Sequence, residues 1–196
     1  HVGGPMTSKR YQSFVERVRP EYLRICNGPS RRDPGHLVSM HFNMAPGPFC
    51  TWLADCSGGK SAAPISDALL ARNAICADEL EEWENSNFPL SEIGAARLLA
   101  EQSSSPSLIF LGNSMPVRLM NSFGYPLVPD VTVAANRGAS GIDGNIATAA
   151  GMALVSNIPT TALVGDLTLL HDLNSLALLE HLDTPFVLVV LNNDGG

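Results

Sequence analysis

Two polar dipeptides close two apolar runs late in the chain: Gly165-Asp166 follows 160–164, and Asn192-Asn193 follows 185–191. A carboxylate and an amide brought to neighbouring strand ends would each offer one oxygen to an octahedral Mg²⁺, its other positions taken by diphosphate oxygens and water. Gly165 lets the backbone approach a phosphate, and a helix starting after it would add unpaired N–H groups. Neither dipeptide is informative alone; their spacing is. Two further segments have the same polar, glycine-containing character, Gly112-Asn113-Ser114 after 107–111 and Asn136-Arg137-Gly138 after 131–135. Arg118 and Arg137 stand out in an acidic chain, because such arginines need a counter-charge and bound carboxylates provide one. Ser114 reads either way, as a helix N-cap or as a ligand contact.

These segments need a scaffold that gathers four strand ends. From 90 onward the pattern is regular: helix 92–102 with Ser91 as N-cap, strand 107–111, a short helix with Pro116 just inside a start marked by Ser114, strand 131–135, helix 144–155, strand 160–164, helix 172–181 and strand 185–191. Strand and helix in alternation imply an α/β fold with a parallel sheet, right-handed crossovers and ligands outside the carboxyl ends of the strands. Residues 1–63 are interrupted by Pro and Gly, with a helical pattern at Tyr11, Phe14, Val15 and Val18, strands at 22–26 and 36–42, and a helix near 49–54; they read as the last part of a preceding α/β domain. Residues 64–89, a helix over 66–83 and a loop over 84–89, read as the connection, and 90–196 as the diphosphate-binding domain. The chain begins without Met and stops at Asn-Asn-Asp-Gly-Gly beyond a strand expected to be buried, so both ends are read as interior to a longer polypeptide.

Nineteen acidic and twelve basic residues give a net charge of −7, against a broad nucleic-acid surface; the one basic pair, Arg31-Arg32, sits beside Asp33. The longest unbroken apolar run, 186–191, is too short to span a bilayer. Four cysteines without CxxC spacing or zinc-type histidine partners, and no Asn-x-Ser/Thr acceptor, read as reduced, mostly buried thiols in an intracellular protein. His36 and His41, at odd spacing on one expected strand, would face opposite ways and share no metal. His171 could serve as an acid or base but reads as a capping residue or one that supports the site from behind; Trp52, Trp83, Met115 and Met120 read as packing residues, and the acidic run 78–82 as a solvated helix face.

The segment GDLTLLHDLNSLALLEHLDTPFVLVVLNN (165–193) resembles the thiamine diphosphate motif that opens with GD and closes with NN. With GNSMPVR (112–118), NRGASGIDGNIATAAG (136–151) and TSKR (7–10), it is similar to the MenD family of 2-succinyl-5-enolpyruvyl-6-hydroxy-3-cyclohexene-1-carboxylate (SEPHCHC) synthases, densely over 112–196 and more weakly over 2–10. The resemblance implies a parallel-sheet, thiamine-diphosphate-binding fold and a transferase of menaquinone or phylloquinone biosynthesis. That reaction decarboxylates 2-oxoglutarate and adds the remaining fragment to isochorismate.

It further implies that Asp166 and Asn193 bind Mg²⁺ (or Mn²⁺) through their side chains and Gly195 through its carbonyl, and that Gly165 and Ile142 meet the cofactor. Ser114, Arg118 and Arg137 would line the reaction site, with Lys9 and Arg10 adding positive charge for the dicarboxylate substrates. A glutamate in an amino-terminal domain of a partner subunit would activate the cofactor, which implies a homodimer or homotetramer and an inactive isolated piece. The sequence departs from the family at Asp194, where asparagine is common. RRDPGHLVSMHF (31–42) is closer to plant and algal versions and GNIATAAG to bacterial ones, leaving plastid and cytoplasm both open. Two other readings stay in view: a different thiamine-diphosphate 2-oxoacid decarboxylase or synthase, against which four basic residues are too many for pyruvate, and a non-catalytic nucleotide-binding or assembly module.

Overall fold

The computed structural model describes residues 1–3, 8–28, 33, 35–58, 66–86, 90–124, 127–138 and 140–195. Arg31, Arg32, Thr7, Gly196 and the expected boundary at 63 lie outside these residues. The chain forms two compact units, His1–Ala74 and Ile75–Gly196, divided within a long helix.

In the first unit, helix α1 (Lys9–Val18) starts at Ser8, whose hydroxyl accepts from the Tyr11 N–H at 3.3 Å. Strand β1 (Leu23–Cys26) pairs in parallel with β2 (Met40–Asn43), and helix α2 (Pro46–Ser57) follows. Val15, Ile25, Val38 and Phe49 are buried. The Asp33 carboxylate accepts from the N–H groups of Leu37 (3.0 Å) and Val38 (2.9 Å), fixing the turn into β2. That turn overrides the expected strand 36–42: His36 has φ 51°, a left-handed value incompatible with a strand, so His36 and His41 do not share one. The thiols also depart from expectation, since Cys26 is half-buried and Cys50, Cys56 and Cys76 are exposed, all four free.

Helix α3 (Asp67–Ser86) carries the division between the units and extends through 84–86, expected as loop. Asp78, Glu79, Glu81 and Glu82 are exposed on it, as expected of a solvated run. Trp52 and Trp83 are more exposed than packing residues usually are, although the Trp52 ring meets Phe49 at a tilt, centroids 5.5 Å apart.

The second unit is a four-stranded, all-parallel sheet in the order β4-β3-β5-β6. Its elements in sequence are α4 (Glu92–Gln102), β3 (Ser107–Leu111), α5 (Met115–Phe123), β4 (Val131–Ala135), α6 (Asn145–Ser156), β5 (Thr160–Gly165), α7 (Asp166–His171), a 3₁₀ segment (Leu173–His181) and β6 (Phe186–Leu191). Every residue of β3 is buried, as a central strand of a doubly covered sheet requires. Side chains alternate between faces: Ile109 and Leu111 join Leu163, Leu191 and Ala96, Ala100, Leu119 and Met120 of α4 and α5, while Phe110 joins Ala162 and Ala149 of α6. Alanines along α6 let it lie close on the sheet, and removing this apolar surface from water drives the packing.

One expectation fails here. The α-helix expected over 172–181 is a 3₁₀ segment, preceded by a short α-helix, α7, that the pattern did not reveal. Strand β6 lies at the end of the described strand order and is only partly covered, with Val187 52% exposed.

Candidate active site

From β3 the chain goes to β4 on one side and then to β5 on the other, so the connections diverge between β3 and β5. A parallel sheet opens a crevice at such a point, beyond the carboxyl ends of the two strands. Gly112 at the end of β3 donates its N–H to the Leu163 carbonyl at 2.8 Å, keeping the two ends in register. A Cβ at Gly112 would meet that oxygen at 3.2 Å and the Val164 Cα at 3.3 Å, which explains a glycine here.

The crevice is a cleft of about 450 Å³. Ser114, Ile142, Gly165, Asp166, Asn193 and Gly195 all line it, six of the residues singled out from the sequence. They arrive from four places: the turn after β3, the loop before α6, the β5–α7 junction and the segment after β6.

The end of β6 is folded back onto α7. Gly195 donates its N–H to Asp166 Oδ2 at 2.8 Å, and Asn193 Nδ2 donates to Glu92 Oε1 at 3.3 Å. Asn192 Oδ1 accepts from the Asp194 N–H at 3.1 Å, and Asp194 and Gly195 both take positive φ (60° and 85°). Asparagine and aspartate tolerate that left-handed value better than other side chains, so Asp194 keeps the backbone of the turn. Its side chain is exposed and Asp194 is not among the cleft residues.

Ser114 does not behave as the expected N-cap. Its φ of 73° and ψ of −122° lie outside the ordinary regions, and its hydroxyl makes no capping bond to α5. A non-glycine residue in such a conformation at the rim of a cleft is a mark of functional strain. Met115 also lines the cleft and is 39% exposed, whereas Met120 is in the core. The loop carrying Ile142 is held through Gly141, whose carbonyl accepts from Asn113 Nδ2 (2.8 Å) and from Asn145 Nδ2 (3.2 Å).

The remaining expected residues do not converge there. Arg118 on α5 and Arg137 after β4 are exposed and line no part of the cleft. Lys9 and Arg10 belong to the other unit, exposed on α1, where with Ser13, Phe14 and Arg17 they line a groove of about 540 Å³. His171 is exposed at the end of α7. Asn113, of the expected Gly112-Asn113-Ser114 segment, also lines the cleft, whereas Glu92 is a cleft residue the sequence reading missed: it looked like an ordinary acid in the first turn of a helix, and its Asn193 partner is 101 positions away.

Asp166, Asn193 and Gly195, which line the cleft, carry only hard oxygens as candidate metal donors: a carboxylate, an amide and a backbone carbonyl. Among the described residues no three His, Cys, Asp or Glu side chains are placed to hold a metal by themselves. The Asp166 carboxylate with neutral amide and carbonyl oxygens, and the Glu92 carboxylate engaged by Asn193 Nδ2, suit a small divalent cation that arrives with phosphate oxygens, so these residues fit Mg²⁺-diphosphate.

Comparison with solved structures finds a chain of similar fold. A protein from Mycobacterium smegmatis described as such an enzyme superposes with a TM-score of 0.57 at 16% identity, over 87% of this chain and 32% of its own. Among curated proteins, the whole chain is similar to SEPHCHC synthases: it is 43% identical over 196 residues to that of Rubrobacter xylanophilus and 38% over 205 residues to that of Chlorobium phaeobacteroides. The chain spans 34% of the length of each of these relatives. No protein-family model matches it.

Proposed function

We propose that this chain is the part of a SEPHCHC synthase that holds thiamine diphosphate and Mg²⁺, and that the complete protein adds the decarboxylated remainder of 2-oxoglutarate to isochorismate, releasing CO₂. The observation that carries this reading is the closure of Gly195 onto Asp166 in the cleft that also contains Asn193 and Ile142. Similarity along the whole of this chain to a third of each SEPHCHC synthase supports the choice of substrates.

In this reading Asp166, Asn193 and the Gly195 carbonyl hold the metal, Mg²⁺ or Mn²⁺, and thereby the diphosphate. Gly165 leaves room for the phosphate, and Ile142 packs against the cofactor. Thiamine diphosphate, when bound, supplies the electron sink for decarboxylation, while the protein binds, orients and neutralises. Arg118 and Arg137 recognise substrate carboxylates, with Lys9 and Arg10 contributing charge and Ser114 a hydroxyl at the cleft rim. Their exposure leaves their charges available to dicarboxylates, for which a guanidinium offers paired N–H donors. The activating glutamate comes from a partner subunit, so the working unit is at least a homodimer.

The test is consumption of isochorismate by the full-length protein with thiamine diphosphate and Mg²⁺. Loss that requires 2-oxoglutarate and does not occur with pyruvate is the expected result. Release of CO₂ from pyruvate with isochorismate untouched would keep the cofactor and reject the substrates.

A further inference from the structure

We propose that Asp172 is a positioning residue for the cleft, fixing the loop that carries Ile142 relative to the helix that carries Asp166. This rests on the reading of the cleft as a diphosphate site. Helix α6 begins after Gly144, which takes φ 65° and has no side-chain oxygen, so its first-turn N–H groups need an acceptor from elsewhere. Asp172 Oδ2 accepts from the N–H groups of Ile146 (2.6 Å) and Ala147 (3.1 Å). Its other oxygen accepts from the Ser175 hydroxyl.

Asp172 belongs to the opposite wall. It is the C-cap of α7, its N–H donating to the carbonyls of Thr168 (3.1 Å) and Leu169 (3.2 Å), at the far end of the helix that Asp166 opens. Toward the other wall the tether continues from Ile146 through Asn145 to the Gly141 carbonyl, which Asn113 also holds, and Ile142 follows directly. A nearby Ser or Asp would cap α6 equally well. A carboxylate that is 9% exposed is costly to desolvate, and here it joins two elements that each bring a residue to the cleft.

Asp172→Ala, Asp172→Asn and Asp172→Glu in the full-length protein test this through three readouts: thermal midpoint, thiamine diphosphate affinity in Mg²⁺, and the Ile142-to-Asp166 Cα separation in ligand-free crystals. Asp172→Ala, studied well below its midpoint, is expected to bind the cofactor about tenfold or more weakly, with the separation changed by about 1 Å. Asp172→Asn, which keeps an acceptor for the two N–H groups, is expected to recover to within about threefold of the parent, since the geometry is what matters. A lower midpoint with affinity and separation unchanged makes Asp172 a plain cap and overturns the proposal. If Asp172→Ala does not fold, Asp172→Glu decides: it keeps the charge and displaces the carboxylate, so parent-like affinity and separation overturn the proposal. If the parent itself binds no thiamine diphosphate, the functional reading fails while the crystallographic separation still judges Asp172.

Discussion

The Gly195 N–H donates to Asp166 Oδ2 at 2.8 Å, so the segment leaving β6 is tied to the first residue of α7. The tie brings together two residues 29 positions apart, both of which line the cleft with Asn193. In the function proposed above, Asp166 both organises the turn and carries the negative charge that a divalent cation needs.

Asp166→Asn separates these roles, because an amide oxygen can still accept from Gly195 while the charge is gone. Thiamine diphosphate affinity measured by calorimetry in Mg²⁺ is expected to fall about 100-fold, with little change in thermal midpoint. Parent-like affinity would remove Asp166 from the metal site.

Gly112→Ala places a methyl group against the Leu163 carbonyl and Val164 of β5. Neither neighbour is a flexible side-chain end, so we expect a loss of about 1–3 kcal/mol in denaturant unfolding. A stability equal to the parent's would mean that β3 and β5 separate at little cost.

Arg118→Ala and Arg137→Ala should each raise the KM for a dicarboxylate substrate by about tenfold or more, as expected for losing a charge-assisted hydrogen bond. Arg137→Lys should not restore it, since an ammonium lacks the paired donors of a guanidinium. Steady-state kinetics with 2-oxoglutarate and isochorismate checks both; unchanged KM values would take these arginines out of substrate recognition.

In the first unit, burial and the hydrogen bond with Tyr11 push the Tyr22 phenol from its usual 10.0 up to about 12. A folded-state value above the unfolded one means that the stabilisation is fully present below pH 10 and is lost as pH rises through about 12. Ultraviolet titration of the phenolates should show a late component that Tyr22→Phe removes; an unaltered titration curve would contradict it.

Much of the second unit was legible because its signals are local. Apolar runs gave Ser107–Leu111 and Val131–Ala135 at their observed bounds, and Ser91 caps α4 as expected, its hydroxyl accepting from the Gly94 N–H at 2.9 Å. What was missed depends on distant partners. The break between α7 and the 3₁₀ segment falls at Asp172, whose carboxylate serves a helix 25 to 26 positions earlier. The backbone of Ser114 and the pairing of Glu92 with Asn193 exist only once the strand ends are assembled. Three thiols expected inside are exposed for the same reason: α2 and α3 offered cysteines that look apolar, but few residues cover those helices.

The most direct test is thiamine diphosphate binding to the full-length protein, titrated by calorimetry with Mg²⁺ and again with the metal chelated. Binding that requires the metal and is lost in Asp166→Asn is the result we expect. Equal binding with and without Mg²⁺, or none in either case, would contradict the assignment of Asp166, Asn193 and Gly195 to a metal-diphosphate site.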